Sequence, residues 1–477
     1  MLTKDQIQRL FLEELQLQPT YDQKRVIGKL SEFLLSSDFS SVFLLKGYAG
    51  TGKTTLVSKL VKLLPRLKAN CILLAPTGRA AKVLAGYAGQ SAFTIHRVIY
   101  RLSETNQGGI SFQLQPNKHA NTLFIVDEAS MITDVSAREE RYVFQSGSLL
   151  HDLIDYVYNG DRCRLIFIGD SAQLPPVHST HSPALSVASL RSTFHLNIWS
   201  EELKEVVRQQ TDSGILYNAT RIRKKIETGK KGFLKFHIQG FSDMKRLTGV
   251  ETTDYINDAF SPGSFEQTIV ICRSNKRANL YNKHIRARVL FFEDEIGAGD
   301  LLMVVKNNYF WLPQKSAASF IANGDIIEIT RIQRIEEMYG FRFAQASIRM
   351  LDYPDEPELD LILILDTLDA EGPSLSYEQS KLLFERVSED YIDEPSKTKR
   401  FAKIKSNPYL NAVQVKFAYA VTCHKAQGGQ WKNVFVEMGY IPDKIPDKEY
   451  FRWLYTALTR ATENLYLMGF SEDFFEK

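Results

Sequence analysis

The sequence predicts an α/β protein: two doubly wound parallel sheets, a β-hairpin inserted in the first and a small β-barrel inserted in the second. Three observations predict this. The apolar runs Val42–Leu45, Cys71–Ala75, Leu123–Val126 and Arg164–Gly169 are each followed by a turn and then a helical pattern. A further set of α/β elements starts at Phe194, with a strand at Thr268–Cys272 and a basic helix at Ser274–Val289, and resumes after Val413. Between them, Gly299 to about Met350 carries short alternating strands with Asn-Gly and Gly turns, the pattern of a small antiparallel barrel.

At 477 residues the chain should hold two to four domains. Its hydrophobic share of 44% and charged share of 24% are those of an ordinary globular protein. A formal charge of +3 gives no sign of a polyanionic partner in the total, so a basic groove would have to be local. Cys71, Cys163, Cys272 and Cys423 are scattered with no C-x-x-C pair, which argues against a zinc or iron–sulfur site and suits a reducing, cytoplasmic location. Met1–Leu17 reads as an amphipathic helix, not a signal peptide, and no run is long enough to cross a bilayer.

In chain order, Pro19–Asp22 starts a helix that runs to about Leu35, with Gln23 in its first turn. Gly47-Tyr48-Ala49-Gly50-Thr51-Gly52-Lys53-Thr54 fits G-x-x-x-x-G-K-[ST] between a strand and a helix. Backbone amides there cradle phosphate, Lys53 reaches the β- and γ-phosphates, and the Thr54 hydroxyl holds Mg²⁺. The candidate nucleotide-binding set is Gln23, Gly47, Gly50, Thr51, Gly52, Lys53, Thr54 and Thr55. Pro76-Thr77-Gly78-Arg79 opens a helix at the end of the second strand and offers amides and a hydroxyl to an anion, with Thr94-Ile95-His96 as a candidate addition to that group. Val98–Gln115 reads as two strands around a Gly-rich turn; Phe112 either packs inward or stands out as a wedge. Leu123–Val126 ends in Asp127-Glu128, an acidic pair suited to Mg²⁺ (Asp127) and to orienting water (Glu128). Gln173 follows the next strand. Ser376 to about Ser406 is helical and ends in a basic run, read as a solvated face. Val421–Trp431 and Leu454–Arg460 carry the last polar clusters.

Taken together, Gly47–Thr54, Val126-Asp127-Glu128-Ala129-Ser130, Gly169–Val177, Tyr419–Gly428 and Leu454–Ala461, in this order, resemble the superfamily 1B helicases of the RecD-like group, over about Gln18–Gly469. The resemblance implies an ATP hydrolase with two RecA-like motor domains and ATP with Mg²⁺ in the cleft between them. It places the first motor domain at 1–193 with a pin insertion near 98–118, the second at 194–299 and 411–477, and an SH3-like barrel plus a helical segment at 300–410. Gln23 takes the adenine-reading position. Lys53, Thr54, Asp127, Glu128 and Gln173 take the catalytic positions of the first domain, and Arg208 and Arg460 those of the γ-phosphate arginines. Thr77, Arg79, Thr94, His96, Thr422 and His424 match segments that meet single-stranded DNA, and Phe112 lies at the strand-separating pin. The implied activity is 5′ to 3′ translocation on single strands and separation of tailed duplex DNA, by a monomer with repair or replication partners. A single-strand translocase, or a partner-dependent ATPase subunit, is the alternative. Gly429-Gln430 departs from the family pattern, standing where many relatives carry an acidic residue near the ribose.

Overall fold

The computed structural model describes residues 2–15, 18–104, 110–134, 148–177, 179–207, 212–261, 265–312, 316, 320–351 and 353–476; the side chains of 102–112 and 442 are outside the description. The strands of the first part are β1 (Ser41–Gly47), β2 (Asn70–Ala75), β3 (Ala92–Thr94), β4 (Tyr100–Glu104), β5 (Ile110–Leu114), β6 (Thr122–Val126), β7 (Arg164–Gly169) and β8 (Asn197–Leu203). Six of them form a sheet in the order β3-β2-β6-β7-β1-β8, with every pairing parallel. The helices beside it are α1 (Lys4–Leu15), α2 (Tyr21–Leu35), α3 (Lys53–Leu63), α4 (Gly78–Ala88), α5 (Ile95–Ile99), α6 (Leu149–Tyr158) and α7 (Val187–Phe194).

The strands are apolar on both faces because both faces are covered. Phe43 and Leu45 of β1, Leu123 and Ile125 of β6, and Ile166 and Ile168 of β7 pack with α1, α2 and α3. Their neighbours Val42, Leu44, Phe124, Val126, Leu165 and Phe167 pack on the other side with α5 and α6. This is the two-residue alternation of a strand read out as two separate cores.

Two expectations are corrected here. Val98 and Ile99, expected to open the first hairpin strand, instead end the short helix α5; Thr94 caps that helix by accepting from the Arg97 amide at 3.3 Å. The hairpin is therefore confined to β4 and β5, whose backbones pair Leu102 with Phe112. The stretch after Phe194 does not begin a new domain: β8 pairs with β1 along its whole length and is an edge strand of the first sheet.

The second part starts with α8 (Gly214–Thr228), β9 (Met244–Leu247), α9 (Val250–Ala259), β10 (Thr268–Cys272) and α10 (Asn275–His284). It continues with β11 (Leu301–Val304), β12 (Ile326–Met338), β13 (Phe341–Met350), β14 (Leu359–Ile364), α11 (Tyr377–Glu389), α12 (Lys397–Lys405) and β15 (Val413–Phe417). It ends with β16 (Ala420–Thr422), α13 (Cys423–Ala426), β17 (Trp431–Glu437), α14 (Lys448–Leu458) and β18 (Ala461–Met468). A parallel sheet runs β16-β10-β17-β18-β9, and β11 to β15 close a barrel. β15 belongs to the barrel, so the second sheet resumes at β16 and not at 411. Leu383, Val387 and Ile404 of α11 and α12 pack on Phe341, Phe343 and Ile364, so the helical segment pads one side of the barrel.

A buried ion pair fixes the barrel to the second sheet. Arg286, just after α10, donates from Nε to Asp300 Oδ1 at 2.8 Å and from Nη2 to Oδ2 at 2.7 Å, and Asp300 also accepts the Tyr419 hydroxyl at 3.0 Å. All four cysteines are free; Cys71 is half-buried and the other three are buried. Among the described residues no helix is long and apolar enough to cross a membrane.

Candidate active site

β1 enters the site buried, flanked by β7 and β8, and the chain turns out of the sheet at Gly47. Gly50 (φ 74°) and Gly52 (φ 84°) both take the left-handed conformation that admits glycine without strain. A Cβ on Gly47 would lie 2.9 Å from Thr51 Oγ1 and 3.0 Å from Leu203 Cβ, so the first glycine is required by close packing. α3 starts at Lys53, whose Nζ curls over the loop and donates to the carbonyls of Gly47 (2.7 Å) and Tyr48 (2.9 Å). Thr51 is buried, with its hydroxyl on the Tyr48 carbonyl at 2.8 Å; Thr54 is half-buried and Thr55 is exposed.

Gln23 is not the solvated helix-start residue that its position alone suggests. It is 5% exposed, forms a capping box with Thr20, and donates from Nε2 to the Thr51 carbonyl at 3.2 Å. Its side chain thus touches the phosphate loop directly.

At the end of β6 the Asp127 amide continues the ladder to the Leu74 carbonyl at 2.9 Å. Glu128 then adopts φ 50°, a strained conformation for a non-glycine residue, and donates its amide to Asp127 Oδ1 at 2.8 Å. Burial, and next the charge of Glu128, push the Asp127 carboxyl up to about 6, against the opposing pull of Lys53. Asp170, at the end of β7, is also raised by burial, with Lys53 opposing.

The second sheet supplies the other wall. Arg460, at the end of α14, is 4% exposed. Its guanidinium is aimed by the carbonyls of Thr456 (3.0 Å) and Gly429 (3.3 Å) and by Thr459 Oγ1 (3.3 Å). Nη1 then lies 3.8 Å from Glu128 Oε1, across the cleft. A cavity of about 550 Å³ is lined by Lys53, Thr54, Asp127, Glu128, Gln173 and Arg460 together. Gln173 lines this cavity, and its Oε1 is buried and meets no hydrogen-bond donor among the described residues. Arg208 lies outside the described residues.

The strand-end residues form a second group. Thr77 caps α4 by accepting from the Ala80 amide at 3.2 Å. His96 stands beside Tyr100 with 5.7 Å between ring centroids, and burial pushes it down to about 4, so it is neutral. Thr422 ends β16 and His424 is exposed on α13. Gly428 (φ 76°) brings the second sheet against α4: a Cβ there would lie 2.8 Å from Ala80 Cβ and 3.3 Å from Thr77 Oγ1. Nearby, Lys416 and Lys425 are each pushed down to about 8, first by burial. Arg79 points elsewhere, stacking over Trp431 at 4.0 Å from the ring centroid and donating to the Gln430 carbonyl at 3.4 Å. The Phe112 side chain lies outside the described residues, so wedge and core stay open.

Residues 22–237 match the AAA domain family and residues 417–468 the UvrD-like helicase C-terminal domain. The ATP-dependent RecD2 DNA helicase of Deinococcus radiodurans is 24% identical over 440 residues, covering 89% of this chain and 46% of that protein. The ATP-dependent DNA helicase dda of Enterobacteria phage T4 is 26% identical over 313 residues, covering 63% of this chain and 64% of that one. The chain is similar to the superfamily 1B helicases of the RecD-like type. It is an ATP-hydrolysing enzyme by class. An uncharacterized protein of Acanthamoeba polyphaga mimivirus is 24% identical over 94% of this chain and 99% of its own length. Against solved structures, a Pif1 helicase from Bacteroides in complex with ADP-AlF3 and single-stranded DNA gives a TM-score of 0.46 at 15% identity, over 94% of both chains.

Some residues of this site were missed from sequence. Asp170, Tyr455 and Thr456 sit inside the quoted motifs, but nothing in their spacing says that Tyr455 donates to Asp170 Oδ2, which it does at 2.6 Å. Gly428 was quoted only inside its motif, with no sign that it packs against α4.

Proposed function

We propose that the chain is a DNA helicase that moves 5′ to 3′ along a single strand and separates duplex, driven by ATP hydrolysis between its two parallel-sheet domains. The observation that carries the reading is the meeting of Lys53, Asp127 and Glu128 from one sheet with Arg460 from the other around one cavity, with Arg460 Nη1 3.8 Å from Glu128. The names of the RecD2 and dda relatives support DNA as the substrate, and the resemblance supports the direction.

The phosphate loop binds the triphosphate, and Lys53 leaves its two loop carbonyls to meet the phosphate charge. Thr54 and Asp127 fit magnesium: a hydroxyl and a desolvated carboxylate are hard oxygen donors, and this ion keeps most of its shell as water and phosphate oxygens. The ion, when bound, neutralises phosphate charge. Glu128 holds and deprotonates the attacking water, and Gln173 offers its unmatched oxygen to that water. Arg460 meets the charge that develops on the transferring phosphoryl group. Binding thus favours closure of the two domains and product release favours opening. Thr77, Thr94 and His96 on one domain, and Thr422 and His424 on the other, hold the strand alternately at the carboxyl ends of their strands.

Unwinding of duplexes with a 5′ or a 3′ single-stranded tail tests this directly. Unwinding of only the 5′-tailed substrate is expected. Unwinding of only the 3′-tailed one overturns the direction. ATPase stimulated by single strands without unwinding of either replaces the reading by a translocase or partner-dependent subunit.

A further inference from the structure

The core of the second domain takes in residues of the first. Tyr48 from the phosphate loop, and Ala172 and Leu174 from the loop after β7, pack into it. Tyr48 and Leu174, with Ala49 and Asp170 beside them, are also held by polar contacts. Glu227 of α8 accepts the Tyr48 hydroxyl at 3.0 Å, and the Arg223 guanidinium sits 4.2 Å from the centroid of the Tyr48 ring. The Tyr455 hydroxyl, on α14, accepts the Ala49 N–H at 2.8 Å and donates to Asp170 Oδ2 at 2.6 Å. One residue on, Thr456 Oγ1 accepts the Leu174 N–H at 2.8 Å, while Gln427 Nε2 donates to the Leu174 carbonyl at 2.9 Å.

The second domain therefore grips the apex of the phosphate loop and both ends of the segment Asp170–Leu174. Gln173, which lines the nucleotide cavity, lies inside that segment. Arg460 is tied to the same helix end through Nε and the Thr456 carbonyl at 3.0 Å. Tyr455 is 1% exposed, and its hydroxyl uses both its donor and its acceptor capacity across the domain boundary. A rigid helix displaced by one ångström carries all of these groups by about the same amount.

We propose that Tyr455 is a positioning residue for hydrolysis: its hydroxyl transmits the closure of the second domain to the phosphate loop and to the segment that carries Gln173. The inference rests on the reading of this cleft as the ATPase site. A substrate bound in the first domain alone is not yet in a hydrolytic geometry; it becomes so when α14 seats Ala49, Asp170 and Leu174. The hydroxyl should therefore matter to turnover far more than to nucleotide binding.

Tyr455→Phe keeps the ring and its packing and removes only the hydroxyl. The assay is steady-state ATPase with saturating oligo-dT, alongside equilibrium binding of a fluorescent ATP analogue and of ADP–aluminium fluoride. The expected result is a fall in kcat of about tenfold or more, with KM and ATP-analogue binding within about twofold of wild type. Affinity for ADP–aluminium fluoride should fall in parallel with kcat. Thr456→Val should act in the same direction, and the double variant should lose less than the product of the two, because both act through one segment. A kcat of Tyr455→Phe within about twofold of wild type, or losses shared equally by nucleotide binding and turnover, overturns the proposal. Wild-type protein without DNA-stimulated ATPase overturns the parent reading instead, and that is seen before any variant is made.

Discussion

Replacing Arg460 tests how much of the chemistry depends on the second domain. In this structure Arg460 Nη1 is 3.8 Å from Glu128 Oε1, and its side chain is almost fully enclosed. At that separation and an effective dielectric of about 20, one negative charge is attracted by about 4 kcal/mol. A transferring phosphoryl group in the same cavity develops its charge beside the same guanidinium. If about 4 kcal/mol is realised in the transition state, Arg460→Ala should lower kcat by about a thousandfold, at the lower end of the range of arginine fingers. Arg460→Lys should keep the charge but lose the fork that is aimed by Thr456, Gly429 and Thr459, and should fall in between. The assay is phosphate release under saturating ATP and single-stranded DNA, with nucleotide affinity measured separately by fluorescence. The reasoning is refuted if Arg460→Ala retains kcat within about tenfold of wild type, or if its defect lies in KM with kcat preserved.

Further outcomes follow from other contacts. Lys53→Ala should abolish hydrolysis, whereas Glu128→Gln should bind ATP and not turn it over; near-normal phosphate release by either purified variant would remove it from the site. Asp300→Ala leaves Arg286 buried without its partner and should cost about 3–5 kcal/mol in denaturant unfolding, and a loss below about 1 kcal/mol would show the pair to be dispensable. Gly428→Ala places a Cβ 2.8 Å from Ala80 at a φ of 76°, so it should loosen the contact with α4 and weaken stimulation of the ATPase by single strands; an unchanged DNA stimulation curve would count against this contact.

How much was legible in the chain depended on the reach of each interaction. The phosphate loop could be read because its chemistry is local: glycines, Lys53 and Thr54 lie within one turn between β1 and α3, and the backbone there has few alternatives. Asp127 and Glu128 were legible because two acids at the end of an apolar strand need a cation. β1, β2, β6, β7, β10, β17 and β18 showed as strands and the barrel as short alternating strands, whereas β3 and β9 were not read. β8 was misplaced because a strand with polar residues on one face fits either an edge of the first sheet or a new domain, and only its pairing with β1 decides. Val98 and Ile99 were read as strand because α5, at five residues, is too short for a helical period to show.

The sequence by itself determined the phosphate-loop motif, the acidic pair after β6 and the succession of α/β elements, since all rest on neighbours a few residues apart. Tertiary structure alone decided the wiring of the cleft. Arg79 turned to Trp431, Gln23 touched Thr51, and Tyr455 reached Ala49 across 406 positions. These contacts join residues whose separation along the chain carries no information about their separation in space. What fixes them is the packing of α8 and α14 against the phosphate loop, which buries Tyr48 and Leu174 in the second core and leaves each enclosed polar group only the partners that packing brings within reach.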